Sequence, residues 1–303
     1  MPRSRRRWLH FKTGRCERTH EVAQPINRLK LNSPENSDQL VETLLSDVLE
    51  VYGYDFTGYS RASLKRRIVR LYELDQFVSF AEYRYKIRTD SGYFKRFMEQ
   101  ITINVTEMFR DPEFYQTLRK EILPRLGTYP FIRIWIAGCS TGEEAYSVAI
   151  FLKELNLLHK SLIYATDINA TVLENASQAM IPMSKMKLYT ENYIEAGGSE
   201  QFSDYYTANY SLGKLKDELK RNIIFSTHNL VSDNSFNEFQ LIMCRNVLIY
   251  FDRPLQTKVF ELFDNSLEKF GYLALGTKET LDFSTVSKNF ERNPTRKIWR
   301  KTQ

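Results

Sequence analysis

Between an apolar run and a helix-forming run the chain reads Gly138-Cys139-Ser140-Thr141-Gly142-Glu143-Glu144. Glycine lets backbone come close to a ligand, and the helix that follows offers free N–H groups at its start. The spacing differs from the G-x-G-x-x-G of a dinucleotide cradle, and Glu143 and Glu144 would repel a pyrophosphate. A cationic or zwitterionic ligand would not be repelled. Asp167 stands twenty-five residues beyond Gly142, at the end of the next apolar run. A carboxylate there can accept two hydrogen bonds from ribose hydroxyls; the competing reading is a cap for a helix starting at Asn169. The five residues from Gly138 also fit G-x-S-x-G, the hydrolase elbow, with Ser140 as nucleophile. That chemistry needs an acid and then a histidine downstream, and only His159 and His228 follow Ser140. It also needs strands upstream, where the chain reads helical. Ribose acid, glycine turn and the lack of a pyrophosphate cradle together point to S-adenosylmethionine (SAM).

The elements that would position these residues fall into two textures. Ser37 can cap a helix with apolar residues at Leu40, Leu44, Leu45, Val48 and Val51. A second helix is expected from Ser60 to about Leu74, with Leu64, Ile68 and Leu71 on one side and Arg66, Arg67 and Arg70 on the other. Shorter helices follow around 80–88 and 91–101. From Phe131 the pattern becomes strand-like: 132–137, 162–166, 239–244 and 272–275, with Lys297-Ile298-Trp299 closing the sheet and helices between. The stretch 185–221, rich in tyrosine and short turns, reads as an inserted small subdomain. The expected fold is therefore α/β, a doubly wound, mostly parallel sheet, preceded by an all-helical domain. The boundaries expected are a basic, disordered tail over 1–35, helices over 36–103 and a ligand-binding domain over 104–303.

The 303 residues carry a net charge of +6, but its location matters. Through Asn32 nine basic residues face two acidic ones, so that segment carries +7 and the rest −1. A body that is slightly acidic argues against nucleic acid as partner, even if the tail touched phosphates. Cys16, Cys139 and Cys244 give neither a disulfide framework nor paired metal-ligand spacing, so no metal is expected and a reducing cytoplasm is the natural compartment. No apolar run approaches a membrane span of about 20 residues, and no apolar stretch follows the N-terminal arginines as in a secretory signal.

Four ordered motifs carry a family resemblance. They are Ile101-Thr102-Ile103-Asn104-Val105-Thr106-Glu107-Met108-Phe109-Arg110, the run from Trp135 through Glu144 to Ser147, Ala165-Thr166-Asp167-Ile168, and Cys244-Arg245-Asn246-Val247-Leu248-Ile249-Tyr250-Phe251-Asp252. From about Leu40 to the C-terminus the chain closely resembles the chemotaxis receptor (protein-glutamate) methyltransferases, the CheR family. The resemblance implies a SAM-dependent methyltransferase (Rossmann-like) fold with a small inserted antiparallel β-subdomain that docks receptors. It implies cofactor contacts at Asn104, Thr106, Arg110, Gly138, Glu144, Asp167, Asn229, Leu230, Arg245 and Asn246. It puts Arg245 and Tyr250 at the methyl-transfer site, and Arg61, Arg66, Arg67 and Arg70 on a receptor-facing helix. Two departures stand out: Ala145 where the family often has proline, and Gly276-Thr277-Lys278-Glu279 where it often reads Gly-His-Ser-Glu.

The implied reaction is O-methylation of glutamates on chemoreceptor cytoplasmic helices, with S-adenosylhomocysteine (SAH) as product. A glutamate near pKa ~4.3 is ionised at neutral pH and needs no general base. Arg245 is expected to anchor that carboxylate, with a salt bridge to an acid such as Asp252 as the alternative. Two rival functions are a non-catalytic module that binds SAM or SAH and another signalling protein, and a nucleic-acid methyltransferase. Against the last, the chain has no Pro-Pro and no Pro-Cys dipeptide.

Overall fold

The computed structural model describes residues 34–293 and 297–303. The basic segment expected over 1–35 lies outside them except for positions 34 and 35, which open the first helix. That helix, α1 (Pro34–Tyr52), starts three residues before Ser37, so Ser37 does not cap it. Its inward face is Val41, Leu44, Leu45 and Val48. Val51 is exposed, because steps of 100° carry it to the margin of that face. Next come α2 (Arg61–Leu74), α3 (Phe80–Thr89) and α4 (Ser91–Ile101). Ser79 opens α3 by accepting the Glu82 amide at 3.2 Å, and Asp90 opens α4 by accepting the Tyr93 amide at 2.9 Å. Asp47, buried in α1, receives Arg84 and Arg88 at 2.7 Å each, which ties α1 to α3 and compensates a buried charge.

A helical stretch then runs through α5 (Pro112–Thr117), a π turn (Leu118–Ile122) and α6 (Leu123–Leu126) into the sheet. The order along the chain is β1 (Ile132–Ala137), α7 (Glu143–Glu154), β2 (Ser161–Asp167), α8 (Ala170–Gln178), β3 (Met180–Pro182), α9 (Met183–Glu195), β4 (Tyr206–Asn209), β5 (Leu212–Leu215), α10 (Asp217–Lys220), β6 (Ile223–Thr227), β7 (Phe239–Cys244), α11 (Arg253–Ser266), β8 (Leu267–Leu275), β9 (Phe290–Arg292) and β10 (Ile298–Lys301). The large sheet is ordered β6-β2-β1-β7-β8-β10-β9, parallel from β6 to β8 and antiparallel in its last two strands. From β1 the chain moves outward to β2 and β6, then returns to β7 on the other side of β1. That reversal opens a crevice at the carboxyl ends of β1 and β7, where open α/β sheets bind ligands.

The run 132–137 is apolar on both faces, apart from the half-buried Arg133, because both faces are covered. Ile132, Ile134 and Ile136 pack with α7 in one core, and Trp135 and Ala137 pack with α11 in the other. Three features depart from the sequence reading. The edge strand β6 carries only one buried residue, Ile223, so it lacks the pattern of a core strand. The inserted unit begins at Met180 rather than 185, because β3 supplies one edge of the small antiparallel sheet β3-β5-β4. It also contains the 13-residue helix α9 where short turns were expected. Glu154 of α7, with a side chain 1% exposed, binds this unit to the domain. It accepts Tyr193 Oη at 2.5 Å, Tyr205 Oη at 2.9 Å and Ser199 Oγ at 3.0 Å, and it pairs with Arg119 from the π turn.

Candidate active site

At the end of β1 the Gly138 and Cys139 amides both donate to Thr166 O, at 2.8 and 2.9 Å, folding the turn over the end of β2. Gly138 sits at φ 78°, and a Cβ there would collide with Val247; Gly142 at φ 90° leads into α7. Glycine alone takes these positions without strain. Ser140 aims its amide at Asp167 Oδ2 (2.9 Å), while Asn169 N donates to Oδ1 (3.0 Å). Both carboxylate oxygens are thereby fixed, and each keeps a lone pair for a ligand hydroxyl. The N-cap of α8 is Asn169, whose Oδ1 accepts the Thr171 amide at 3.0 Å. Burial raises the Asp167 pKa against the opposing pull of its amide bonds. Ser140 Oγ is buried without a hydrogen-bond partner among the described residues, none of which is placed as a base to activate it as a hydrolase nucleophile.

Arg245 follows β7, and its side chain is 1% exposed. Its Nη1 donates to Glu144 Oε2 at 2.9 Å, and its Nη2 to Asp111 Oδ2 at 2.7 Å and Arg110 O at 3.1 Å. The guanidinium lies over the Phe114 ring, 4.0 Å from its centroid. Burial pulls against its charge, but Glu144, Tyr115 and Asp111 outweigh it and hold the pKa above the ordinary value. Both terminal nitrogens are thus engaged within the protein, which differs from the free anchor expected for a substrate carboxylate. Asp252 is not its partner; it caps α11 by accepting the Leu255 amide at 2.9 Å.

Glu279, passed over in the sequence as part of a departure, organises the opposite wall. Its Oε1 accepts the Val247 and Leu248 amides at 2.9 and 2.7 Å, and its Oε2 the Asn246 and Gly276 amides at 2.9 and 2.6 Å. Asn246 is left-handed at φ 62°. An acid three residues after the glycine that follows β8 was the available signal, and local pattern gives it no partner.

The crevice collects every cofactor residue named from sequence. Asn104, Thr106 and Arg110 line one side; Gly138, Glu144 and Asp167 lie at the strand ends. Asn229 and Leu230 form the far wall, and Arg245, Asn246 and Tyr250 the wall after β7. The helical domain contributes Phe56, Tyr59 and Arg67, which the sequence did not single out as lining residues. Asp167 and Glu144 combine with an apolar wall of Ile168, Leu230 and Phe251. One carboxylate for sugar hydroxyls, a second acid for a cationic end and an apolar slot for a base fit SAM.

The basic face of α2 divides. Arg66 and Arg70 are exposed, and Arg61 pairs with Glu42 at 3.0 Å. Arg67 instead turns toward the crevice, donating to Ile101 O and lying 5.6 Å from the Tyr250 ring centroid. Its position one residue off the exposed arc explains the difference. Among the described residues there is no cluster of metal-ligating side chains, and no helix is long and apolar enough to cross a membrane.

Comparison with known proteins adds independent findings. Residues 104–298 match the CheR methyltransferase, SAM binding domain, and residues 39–102 the CheR methyltransferase, all-alpha domain. A Pseudomonas putida protein named "Putative methyltransferase Cher3" is 45% identical over 263 residues, spanning 86% of this chain and 96% of that one. A "Chemotaxis protein methyltransferase" of Listeria innocua is 30% identical over 231 residues, 76% of this chain and 85% of its own. One of Borreliella burgdorferi, so named too, is 30% identical over 270 residues, 84% and 92% of the two chains. The two matches meet just after α4, and the relatives align along most of their length, so the chain belongs to the CheR family of SAM-dependent methyltransferases.

Proposed function

We propose that the enzyme transfers the methyl group of SAM to glutamate side chains on the cytoplasmic helices of chemoreceptors, forming methyl esters and leaving SAH. The observation that carries this reading is the crevice wall around Tyr250, where Arg67 lies 5.6 Å from its ring and Arg110 lines the same crevice. A positive wall draws an anionic nucleophile rather than an amine. The names of the Listeria and Borreliella relatives support chemotaxis as the setting.

When bound, SAM supplies a methyl group already activated by its sulfonium. The protein's task is to align a carboxylate oxygen with that methyl and to exclude water, and alignment of this kind is worth roughly 7–11 kcal/mol. Asp167 holds the sugar, and Glu144 faces the cationic end. Arg245 acts through others: it fixes Glu144 and Asp111, and so is a positioning residue. Arg110 remains as the cation for the incoming carboxylate, since among the described residues its guanidinium makes no firmer bond than a marginal 3.5 Å contact to Val105 O. Tyr250, whose pKa burial raises, keeps its proton at neutral pH and offers a donor to the same oxygen.

The test is methyl transfer from labelled SAM to receptor cytoplasmic fragments. Carboxyl methyl esters release the label as methanol in mild alkali, whereas methylated amines and bases retain it. Label that survives alkali would overturn glutamate as the acceptor.

A further inference from the structure

The loop joining α1 to α2 is strapped to the motif that follows β7. Ser60 N donates to Tyr250 O, and Asp252 N to Gly58 O, both at 2.7 Å, so that Tyr59 and Phe251 form an antiparallel bridge. The Tyr59 ring is wedged between Phe56 and Phe251, at centroid distances of 5.0 and 4.8 Å with near-perpendicular planes. Both neighbours and Tyr59 itself line the crevice, as does Asp167. The ring is therefore held in one orientation by backbone and by packing.

Its hydroxyl is the unexplained part. Among the described residues no group hydrogen-bonds it, and the half-buried residue sits on the crevice wall. Burial, followed by the negative charge of Asp167, pushes its pKa well up, which keeps it a donor at neutral pH. A phenol with an unengaged donor and a carboxylate on the wall of one crevice suit a ligand that can satisfy both.

We infer that Tyr59 is a cofactor-binding residue whose hydroxyl donates to a ribose hydroxyl oxygen of SAM while that hydroxyl's proton points at Asp167. The nucleoside site is then shared: the sheet supplies the acceptor and the helical domain the donor. This inference builds on the SAM site alone and is independent of which protein is methylated.

The test uses the full chain, titrated calorimetrically with SAH and with an SAH analogue lacking both ribose hydroxyls. Tyr59→Phe keeps the ring contacts, so the ligand-free melting temperature stays at the wild-type value. The variant should bind SAH about three- to tenfold more weakly, the range of a single hydrogen bond. Against the dideoxy analogue it should match the wild type. The ratio between the two ligands does not depend on how much of the sample is folded. Unchanged SAH affinity, or an equal loss on both ligands, would overturn the inference. Wild-type protein that fails to bind SAH would instead overturn the cofactor site as a whole.

Discussion

Glu144, at the start of α7, and Arg245, just after β7, lie 101 residues apart in sequence and share a 2.9 Å ion pair. The pair links the two loops that flank the crevice. With Asp111 on the other nitrogen, Arg245 ties the segment ending in Arg110 to the same point.

Removing that centre leaves the Glu144 carboxylate buried without its ion-pair partner. Arg245→Ala should cost about 3–5 kcal/mol of stability, the usual penalty for orphaning a buried charge. Chemical denaturation measures it. Arg245→Lys should recover only part, because one ammonium cannot reproduce the two-armed geometry. A variant as stable as the wild type would refute the assigned role.

Asp167 makes a pH prediction with a definite sign. Its carboxylate must be ionised to accept sugar hydroxyls, and burial lifts its pKa above the usual 3.8. SAH binding is therefore complete above the raised pKa and is lost as pH falls through it, earlier than for an exposed aspartate. Asp167→Asn should bind SAH roughly 100-fold more weakly at neutral pH, as expected for losing two charge-assisted bonds. Calorimetry across pH should find its residual affinity flat where the wild type declines.

Glu279→Gln tests the opposite wall. An amide has one acceptor oxygen, so amides now bound to the second oxygen are orphaned at about 1–3 kcal/mol each. The expected result is a lower melting temperature together with weaker SAH binding, since the disturbed residues run into Arg245.

Catalysis separates from binding at the wall around Tyr250. Tyr250→Phe and Arg110→Ala should lower kcat, by roughly 10²-fold or more for a lost transition-state donor. Tyr250→Phe should leave SAH affinity nearly intact. Single-turnover methylation of receptor fragments reads the step directly.

Arg66 and Arg70 form the exposed remainder of the basic face. The double change Arg66→Glu with Arg70→Glu should slow receptor methylation most at low salt and leave SAH affinity unchanged. Equal methylation rates at low ionic strength would remove this face from receptor docking.

Much of this arrangement was readable in the chain because it is local. The strand 132–137, the glycine turn after it and Asp167 at the next strand end are short-range patterns, and the crevice follows from their order. The partners of Arg245 were not legible for the opposite reason. Asp111 and Glu144 are set by tertiary packing, whereas Asp252, seven residues on, was only near in sequence. β6 escaped notice because an edge strand with one buried residue shows no alternation, and Tyr59 because an aromatic in a helical linker reads as core. Ser37 marked a plausible cap, yet the helix simply began sooner.

The Glu154 hub has a mechanical consequence for the inserted unit. Three hydroxyls and an arginine riveted to one acid make that unit an outrigger rather than a flap, with Tyr210 standing wholly exposed at its tip. Anything gripping that tip is carried at a fixed span and heading from the methyl donor, so a grip there becomes an aiming device.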